Sequence, residues 1–342
     1  MNKEAIKYLL IASSLCLALT CCSEPGRSSA REHLNRDQVR ALQFSYTVTV
    51  KNIPFNSNHI EIWIPVPKSD KHQTIKDIKV TSDYPYSFQN DPEYNNLILK
   101  VESKIEIPEN FTVSMEFMVT RVANSVLDGS NSGINNNDLE MLQRYLLPDQ
   151  LVPTDGIIAL EAQKVVHFGM TDIQKARVLY DHVISLMTYD KTGTGWGQGD
   201  AIYACNVRSG NCTDFHSLFI GMARASGIPS RFVIGFSIPR EKKQGDISGY
   251  HCWAEFYIKE LGWVPIDASE ASKYAENQNF FFGSLDANRV QFTIGRDIKL
   301  EPNSDSEPLN YFIYPYVKID HKTYTDVEHH FSFKDLSEEV RL

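Results

Sequence analysis

The stretch that decides the fold runs from Gly210 to Ile220 and reads Gly-Asn-Cys-Thr-Asp-Phe-His-Ser-Leu-Phe-Ile. Apolar residues recur from here at steps of three and four, which predicts a helix with one buried face. These apolar residues are Phe215, Leu218, Phe219 and Met222. Gly227 stands where a C-terminal cap is expected, and Pro229 then prevents the helix from continuing.

The first turn of this predicted helix carries Cys212. Unpaired backbone N–H groups and the positive end of the helix dipole lower the pKa of a cysteine at that position and favour its thiolate. A reactive sulfur is an unusual choice for a residue that only packs, although packing is a common role of free cysteine. The position therefore predicts a nucleophile.

Two strands follow the helix, at Tyr250–Ile258 and Trp263–Asp267, joined by a turn that contains Gly262. Because a hairpin turn joins the strands, Asp267 can lie beside His251. A helix packed on this sheet could present the Cys212 sulfur to the imidazole. The order of these three residues predicts a single site.

The three side chains are sufficient for nucleophilic catalysis. Cys212 would attack, activated by the helix start and by His251. His251 would take the thiol proton and later give it to the leaving amine. Asp267 would accept the other ring N–H, fix the tautomer and favour the imidazolium.

The oxyanion hole is less defined by the sequence. The Cys212 backbone N–H is one natural donor. Trp196 and Gln198, on a glycine-rich loop, and Asn206, six residues before Cys212, are three candidates for the second, and Trp196 is favoured. The loop spans Lys191–Asp200 and lacks the pattern of a phosphate-binding loop.

Three further residues have alternative interpretations. His216, one turn after Cys212, could be a rival base, a metal ligand with Cys212, or a core histidine, and the helix position favours the core. Cys205 and Cys252 could form a disulfide in an oxidising compartment. The cysteines are not spaced as a zinc ribbon and no calcium-binding loop is present, so we expect no metal and no cofactor.

Four segments resemble the transglutaminase-like superfamily. They are Gly-Asn-Cys212-Thr-Asp-Phe-His, Ala-Arg-Ala-Ser-Gly-Ile-Pro-Ser-Arg, Tyr-His251-Cys-Trp-Ala-Glu and Gly-Trp-Val-Pro-Ile-Asp267-Ala-Ser. The resemblance covers roughly Asp155 to Ser272 and implies a papain-like core with a helix cysteine, a strand histidine and an aspartate on the following strand. It leaves the reaction open, because the superfamily includes cross-linking enzymes, peptidases, amide hydrolases and inactive scaffolds.

The amino terminus is typical of an export signal. Two lysines precede an apolar run, Tyr8–Leu19, which is too short for a stable membrane span. The ending Leu-Thr-Cys21-Cys22 resembles a bacterial lipobox, which favours Cys22, or else Cys21, as a lipidated residue. A cleaved signal that ends in unrelated cysteines is the alternative. Residues 23–40 read as a tether, so the sequence predicts a lipid-anchored, extracytoplasmic protein of the cell envelope.

The remaining sequence predicts an α+β protein with two domains. Alternating strands over residues 41–125 indicate a β-sandwich-like domain, which also resembles what bacterial members of the superfamily carry before the core. Residues 126–150 read as a linker with a short helix. Residues 151–342 are assigned to a papain-like catalytic domain, in which helices pack on an antiparallel sheet and C-terminal strands close the sheet.

The net charge of −9 argues against nucleic acid as a partner, because phosphate binding needs a basic surface. The predicted function is a thiol-dependent hydrolase that acts on a protein, peptide or cell-wall amide. A glutamine–amine transferase would use the same chemistry but has to exclude water. A catalytically silent binding module is the third possibility.

Overall fold

The structure is a computed structural model that describes residues 38–105, 107–127, 139–302 and 307–337. The predicted export signal, the lipidation site at Cys22 or Cys21 and most of the tether lie outside these residues. The first strand begins at Val39, so the last two residues of the predicted tether belong to a strand instead. Arg40 is buried there and pairs with Asp335 at 3.0 Å.

The strands between Val39 and Val122 lie in two five-stranded sheets, which also include strands from later in the chain. In spatial order, the first consists of β11 (Gln244–Asp246), β18 (Val327–Asp335), β1 (Val39–Val50), β6 (Phe111–Val122) and β3 (Gln73–Thr81). The second consists of β17 (Lys322–Thr323), β16 (Tyr316–Ile319), β2 (Ile60–Val66), β5 (Leu97–Ser103) and β4 (Tyr86–Asn90). Alternate side chains of β1 and β6 are buried, as the period-two pattern predicts.

The C-terminal strands correct the predicted domain assignment. They were expected to close the catalytic sheet, but β18 pairs along nine residues with β1, and β16 pairs with β2. Side-chain alternation identifies a strand but carries no information about its partner, which long-range packing selects. The other domain boundaries given by the sequence stay predictions.

A four-stranded antiparallel sheet carries the motif residues. Its order is β13 (Gly262–Ile266), β12 (His251–Ile258), β10 (Ser230–Ser237) and β15 (Arg289–Ile294). Two short pairs complete the sheets: β7 (Asn124–Ser125) with β14 (Ser284–Leu285), and β8 (Thr188–Tyr189) with β9 (Ser209–Gly210).

Six α-helices are found in the described ranges. They are α1 (Leu139–Arg144), α2 (Gly156–Gln163), α3 (Asp172–Leu186), α4 (Ala201–Val207), α5 (Cys212–Ala225) and α6 (Ala268–Lys273). A capping box of Thr171 and Gln174 begins α3. None of these helices is both long enough and apolar enough to cross a membrane.

Helix α5, which carries Cys212, is the centre around which most of the other helices and the four-stranded sheet pack. The sequence predicts one buried stripe, but every residue from Cys212 to Arg224 is buried. The reason is that β12 covers one side of the helix while α2, α3 and α4 pack on others. Gly227 follows the helix with a φ of +81°, which is the left-handed conformation expected of a helix stop.

Candidate active site

The start of α5 is fixed by a reciprocal cap. The Asn211 side chain accepts a hydrogen bond from the Thr213 N–H at 2.9 Å, and the Asp214 carboxylate accepts one from the Asn211 N–H at 2.9 Å. This capping box satisfies backbone donors that a helix start otherwise leaves unpaired. Cys212 is the first residue of the helix, so its sulfur lies at a rigid point of the fold.

Asp214 also ties the glycine-rich loop to this helix. Its carboxylate accepts hydrogen bonds from the N–H groups of Gly197 at 2.7 Å and Gly199 at 3.0 Å. Burial raises the pKa of Asp214, and the three backbone donors oppose that rise. Gly199 has a φ of +64°, and a Cβ there would come within 2.6 Å of side chains of Thr213 and Arg296. Only glycine therefore allows the loop to pass so close to α5.

The Cys212 thiol is nearly buried, with 3% of the residue exposed, and it has two hydrogen-bond partners. The hydrogen bond from Cys252 is the largest cause that lowers the pKa of Cys212 well below its ordinary value. Burial opposes this shift, while the hydrogen bond and charge of His251 add to it. Cys212 is therefore expected to be a thiolate at neutral pH.

His251 joins the sulfur to a carboxylate. Its Nε2 atom lies 2.7 Å from Oδ2 of Asp267, and the ring also hydrogen-bonds to Cys212. Burial disfavours the imidazolium, but the charge of Asp267 and its hydrogen bond dominate and raise the pKa of His251 to about 10. The site is therefore expected to hold a thiolate–imidazolium pair at neutral pH.

Asp267 is held at the end of β13 by four groups. Its Oδ2 atom accepts from Nη1 of Arg289 at 2.6 Å as well as from His251. Its Oδ1 atom accepts from the Ser269 hydroxyl and the Glu270 N–H, both at 2.9 Å, and so caps α6. Although burial raises the pKa of Asp267, the charges of His251 and Arg289 hold it well below its ordinary value. The carboxylate is thus charged and fixed in position.

Cys252 is a contact of Cys212 that sequence reasoning missed, because strand alternation placed it on the face opposite His251. Its sulfur lies 3.8 Å from Oγ1 of Thr213 and 3.7 Å from Nδ1 of His216. All three cysteines of the described residues are free, and Cys205 instead contacts Glu161 at 3.8 Å. The disulfide between Cys205 and Cys252 that the sequence left open is therefore not formed.

His216 is fully buried behind the sulfur. Its Nε2 atom accepts the Ala268 N–H at 3.1 Å, which makes Nδ1 the protonated nitrogen. Burial lowers the pKa of His216 to about 4, so the ring is neutral at neutral pH. These contacts favour the core role among the alternatives considered for this residue.

The three oxyanion candidates lie in different settings. Trp196 is half-buried and precedes Gly197, which Asp214 binds at the start of α5. Gln198 has an exposed side chain, and its backbone carbonyl accepts a hydrogen bond from Asn310 at 2.7 Å. Asn206 is exposed on α4. The second oxyanion donor remains a prediction.

Tyrosines form part of the surroundings of the sulfur, and no local sequence signal indicated them. The Tyr250 hydroxyl lies 2.8 Å from Oγ1 of Thr213 and 3.1 Å from Nδ2 of Asn211. Tyr311, from a distant part of the chain, packs on Tyr250 with ring centroids 5.6 Å apart. Burial raises the pKa of Tyr250, and the nearby charge of Cys212 adds to the rise. Both rings are therefore neutral hydroxyl donors beside the site.

The chain is similar to a known family and to several known proteins. Residues 161–268 match the family model described as the transglutaminase-like superfamily. The match includes α5, β12 and β13, together with Asp267 directly after β13, so Cys212, His251 and Asp267 all lie within it. The chain thus carries a transglutaminase-like domain, whose superfamily consists in general of cysteine-based enzymes.

Individual proteins extend the likeness beyond this domain. An uncharacterized protein of Haemophilus influenzae is 27% identical in an alignment 339 positions long, gaps included, that covers 88% of this chain and 92% of that protein. The protein YebA of Bacillus subtilis is 26% identical over 151 residues, or 40% of this chain and 20% of YebA. A crystal structure from Cytophaga hutchinsonii, described as a candidate cysteine protease, covers 87% of this chain and 91% of its own with a TM-score of 0.55 and 16% identity. The similarity to this crystal structure concerns the fold alone.

Proposed function

We propose that the protein is an extracytoplasmic thiol-dependent amide hydrolase of the transglutaminase-like type. Its papain-like core would follow a β-sandwich domain built on β1 to β6. The observation that carries the proposal is the hydrogen-bonded chain from Cys212 through His251 to Asp267. Such a chain supplies the nucleophile, the proton carrier and the group that orients it. No metal or cofactor takes part in the proposed reaction.

The first half of the reaction forms a thioester. The Cys212 thiolate adds to the carbonyl carbon of the amide, and the resulting oxyanion lies near the Cys212 N–H, which has no partner within the helix. The carbon–nitrogen bond then breaks as His251 gives its proton to the departing amine. The acyl group is now on sulfur, the amine is free and His251 is neutral.

The second half releases the acid. Neutral His251 takes a proton from water while the oxygen adds to the thioester carbon. The carbon–sulfur bond breaks, which restores the thiolate and the imidazolium. Throughout both halves, Asp267 stays charged and keeps the His251 ring in one orientation, because Arg289 and the start of α6 hold the carboxylate.

A transferase is the second candidate, and one observation favours it. Cys212 and His251 are only 3% and 7% exposed, so bulk water has little access to the sulfur. A site that excludes water favours an amine as the acceptor of the acyl group. A silent binding module is less compatible with a complete and charged Cys-His-Asp network.

The deciding experiment compares acid release with amine incorporation. The purified protein would be incubated with protein, peptide and cell-wall amides, with and without an added primary amine. We expect acid release that Cys212→Ser lowers by at least about 10³-fold, while Cys205→Ser, a control at a buried cysteine beside Glu161, keeps the activity. Amine incorporation that outpaces acid release would favour the transferase. Identical behaviour of wild type and Cys212→Ser would leave only the binding module.

The proposed location is the cell envelope, with the protein anchored by lipid on Cys22 or Cys21. The support is the predicted export signal over residues 1–22. Globomycin, which blocks lipoprotein processing, should cause an unprocessed precursor to accumulate. Normal maturation in its presence would contradict the lipid anchor and would leave a secreted protein.

A further inference from the structure

We propose that His59, Glu61 and His321 form a binding site for a divalent transition-metal ion of the zinc type. One ligand atom of each residue lies within 4.8 Å of the ligand atoms of the other two. None of the three belongs to the Cys212 site or to the transglutaminase-like segment, residues 161–268. The proposed reaction at Cys212 therefore stays independent of this ion.

The two histidines are far apart in the sequence, but hydrogen bonds hold the segments that carry them side by side. His59 immediately precedes β2, and His321 lies in the two-residue turn between β16 and β17. The Asp320 N–H donates to the His59 carbonyl at 2.9 Å, and Oδ1 of Asp320 accepts from the His59 N–H at 3.1 Å. The two imidazole rings are 4.6 Å apart between centroids.

The turn itself directs His321 toward its partner. Asp320 and His321 have φ angles of +46° and +65°, the left-handed pair that a tight two-residue hairpin requires. A residue other than glycine is uncommon in this conformation. Aspartate and histidine are among the residues other than glycine that adopt it most often, so this backbone accommodates His321.

Glu61 supplies the carboxylate. It is the second residue of β2, and its side chain is only 14% exposed. Glu102 stands directly opposite it on β5, and the Glu102 carboxylate lies 3.2 Å from Nε2 of His59. In metal sites, a histidine ligand commonly donates the N–H of its other ring nitrogen to a carboxylate, which orients the ring. Glu102 can do this at Nε2 of His59, which leaves Nδ1 for the ion.

The ligand set indicates the kind of ion. Two imidazoles and one carboxylate suit Zn²⁺ and its neighbours in the first transition series, whereas Ca²⁺ and Mg²⁺ prefer oxygen ligands. Ligand atoms about 2.05 Å from a tetrahedral ion are about 3.3 Å apart. The exposed side chain of His321 has the freedom to close the remaining gap.

Lys100 is the cation that competes for this site. Its Nζ atom lies 3.1 Å from Glu61, 3.5 Å from Glu102 and 2.6 Å from Glu301. Because Glu301 is its shortest contact, Lys100 can keep a partner when a metal ion takes Glu61. Removal of the lysine charge should therefore tighten metal binding.

Zinc titration of the full chain, freed of metal by dialysis against a chelator, tests the proposal. We expect one Zn²⁺ per chain at this site, a rise in Tm of at least about 2 °C, and affinity at least about 100-fold weaker in His59→Gln and His321→Asn. Asparagine is chosen at position 321 because it tolerates the left-handed backbone. Lys100→Met should bind more tightly than wild type.

His330→Gln is the matched control, since His330 is an exposed histidine beside a carboxylate, Asp246 at 3.0 Å, in the other sheet. All these variants keep the six cysteines, so zinc bound by thiols would be the same in each. Equal affinity in wild type, His59→Gln and His321→Asn, or no zinc binding at all, would overturn the proposal.

Discussion

At the scale of single residues, the acidity of Cys212 depends on two neighbours, Cys252 and His251. Replacing Cys252 with alanine removes the hydrogen bond that lowers the pKa of Cys212 most. We therefore expect the midpoint for alkylation of Cys212 by iodoacetamide to move to higher pH in Cys252→Ala. The rate of alkylation measured against pH, with mass spectrometry to identify the labelled residue, gives that midpoint. Cys205→Ala should leave it in place, and an unchanged midpoint in Cys252→Ala would contradict the role of this thiol.

The charge of Asp267 sets the alkaline limit of the site. The thiolate–imidazolium pair exists above the pKa of Cys212, which is lowered, and below that of His251, which is raised to about 10. Activity should therefore fall near pH 10, as the imidazolium loses its proton. In Asp267→Asn this limb should move to lower pH and the rate should drop about 10²- to 10⁴-fold.

The control for that experiment is Asp286→Asn. Asp286 contacts the same arginine, Arg289, at 3.3 Å but has no hydrogen bond to His251. The pH–activity profile of Asp286→Asn should fall at the same alkaline pH as that of the wild type. If both variants shifted the limb equally, the effect would belong to Arg289 and not to the pairing of Asp267 with the imidazole.

At the scale of elements, Asp214 joins α5 to the glycine-rich loop through two backbone hydrogen bonds and accepts a third from the Asn211 N–H, at the start of α5. Asp214→Ala leaves the N–H groups of Asn211, Gly197 and Gly199 without this acceptor in a buried place. We expect the free energy of unfolding, measured with urea, to fall by about 2–4 kcal/mol. Asp200→Ala, which removes the cap of α4 at a half-buried position, should cost about 1 kcal/mol. Equal losses in the two variants would contradict the anchoring role of Asp214.

Local signals were enough to predict several elements. The three- and four-residue spacing predicted the course of α5 and Gly227 predicted its end, because caps and periodicity act within one or two turns. The hairpin of β12 and β13 was predictable for the same reason, and it brings Asp267 to His251. The contact of Cys252 with Cys212 was not, since it depends on how the helix is placed on the sheet.

At the scale of the whole molecule, the sequence lacks the information that decides which strands pair. Both C-terminal strands were recognised from their alternation, yet their partners β1 and β2 lie more than 250 residues earlier. Pairing at such separation is set by the complementarity of buried faces, which a single sequence does not display. The cluster of His59, Glu61 and His321 was missed for the same reason, because His321 reaches the other two only through the β16–β2 pairing.

Phe331 on β18 shows what this long-range pairing contributes to stability. Its ring lies 4.5 Å from that of Tyr46 on β1 and 4.4 Å from that of Phe236 on β10, so it packs on an N-terminal strand and on the catalytic sheet. Phe331→Ala should lower the free energy of unfolding by about 3–5 kcal/mol. Phe55→Ala, at a phenylalanine that is 90% exposed, should change it by less than about 0.5 kcal/mol.

The same variant tests whether the two halves unfold together. When the other three tryptophans (Trp196, Trp253 and Trp263) are replaced by phenylalanine, fluorescence reports on Trp63 in the second N-terminal sheet, and alkylation of Cys212 reports on the site alone. Because Phe331 packs against both β1 and β10, we expect fluorescence and alkylation to give one coincident urea transition, shifted equally in Phe331→Ala. If Cys212 kept its protection while the fluorescence transition moved, the C-terminal strand would stabilise only the N-terminal sheets, and the catalytic sheet would fold independently of them.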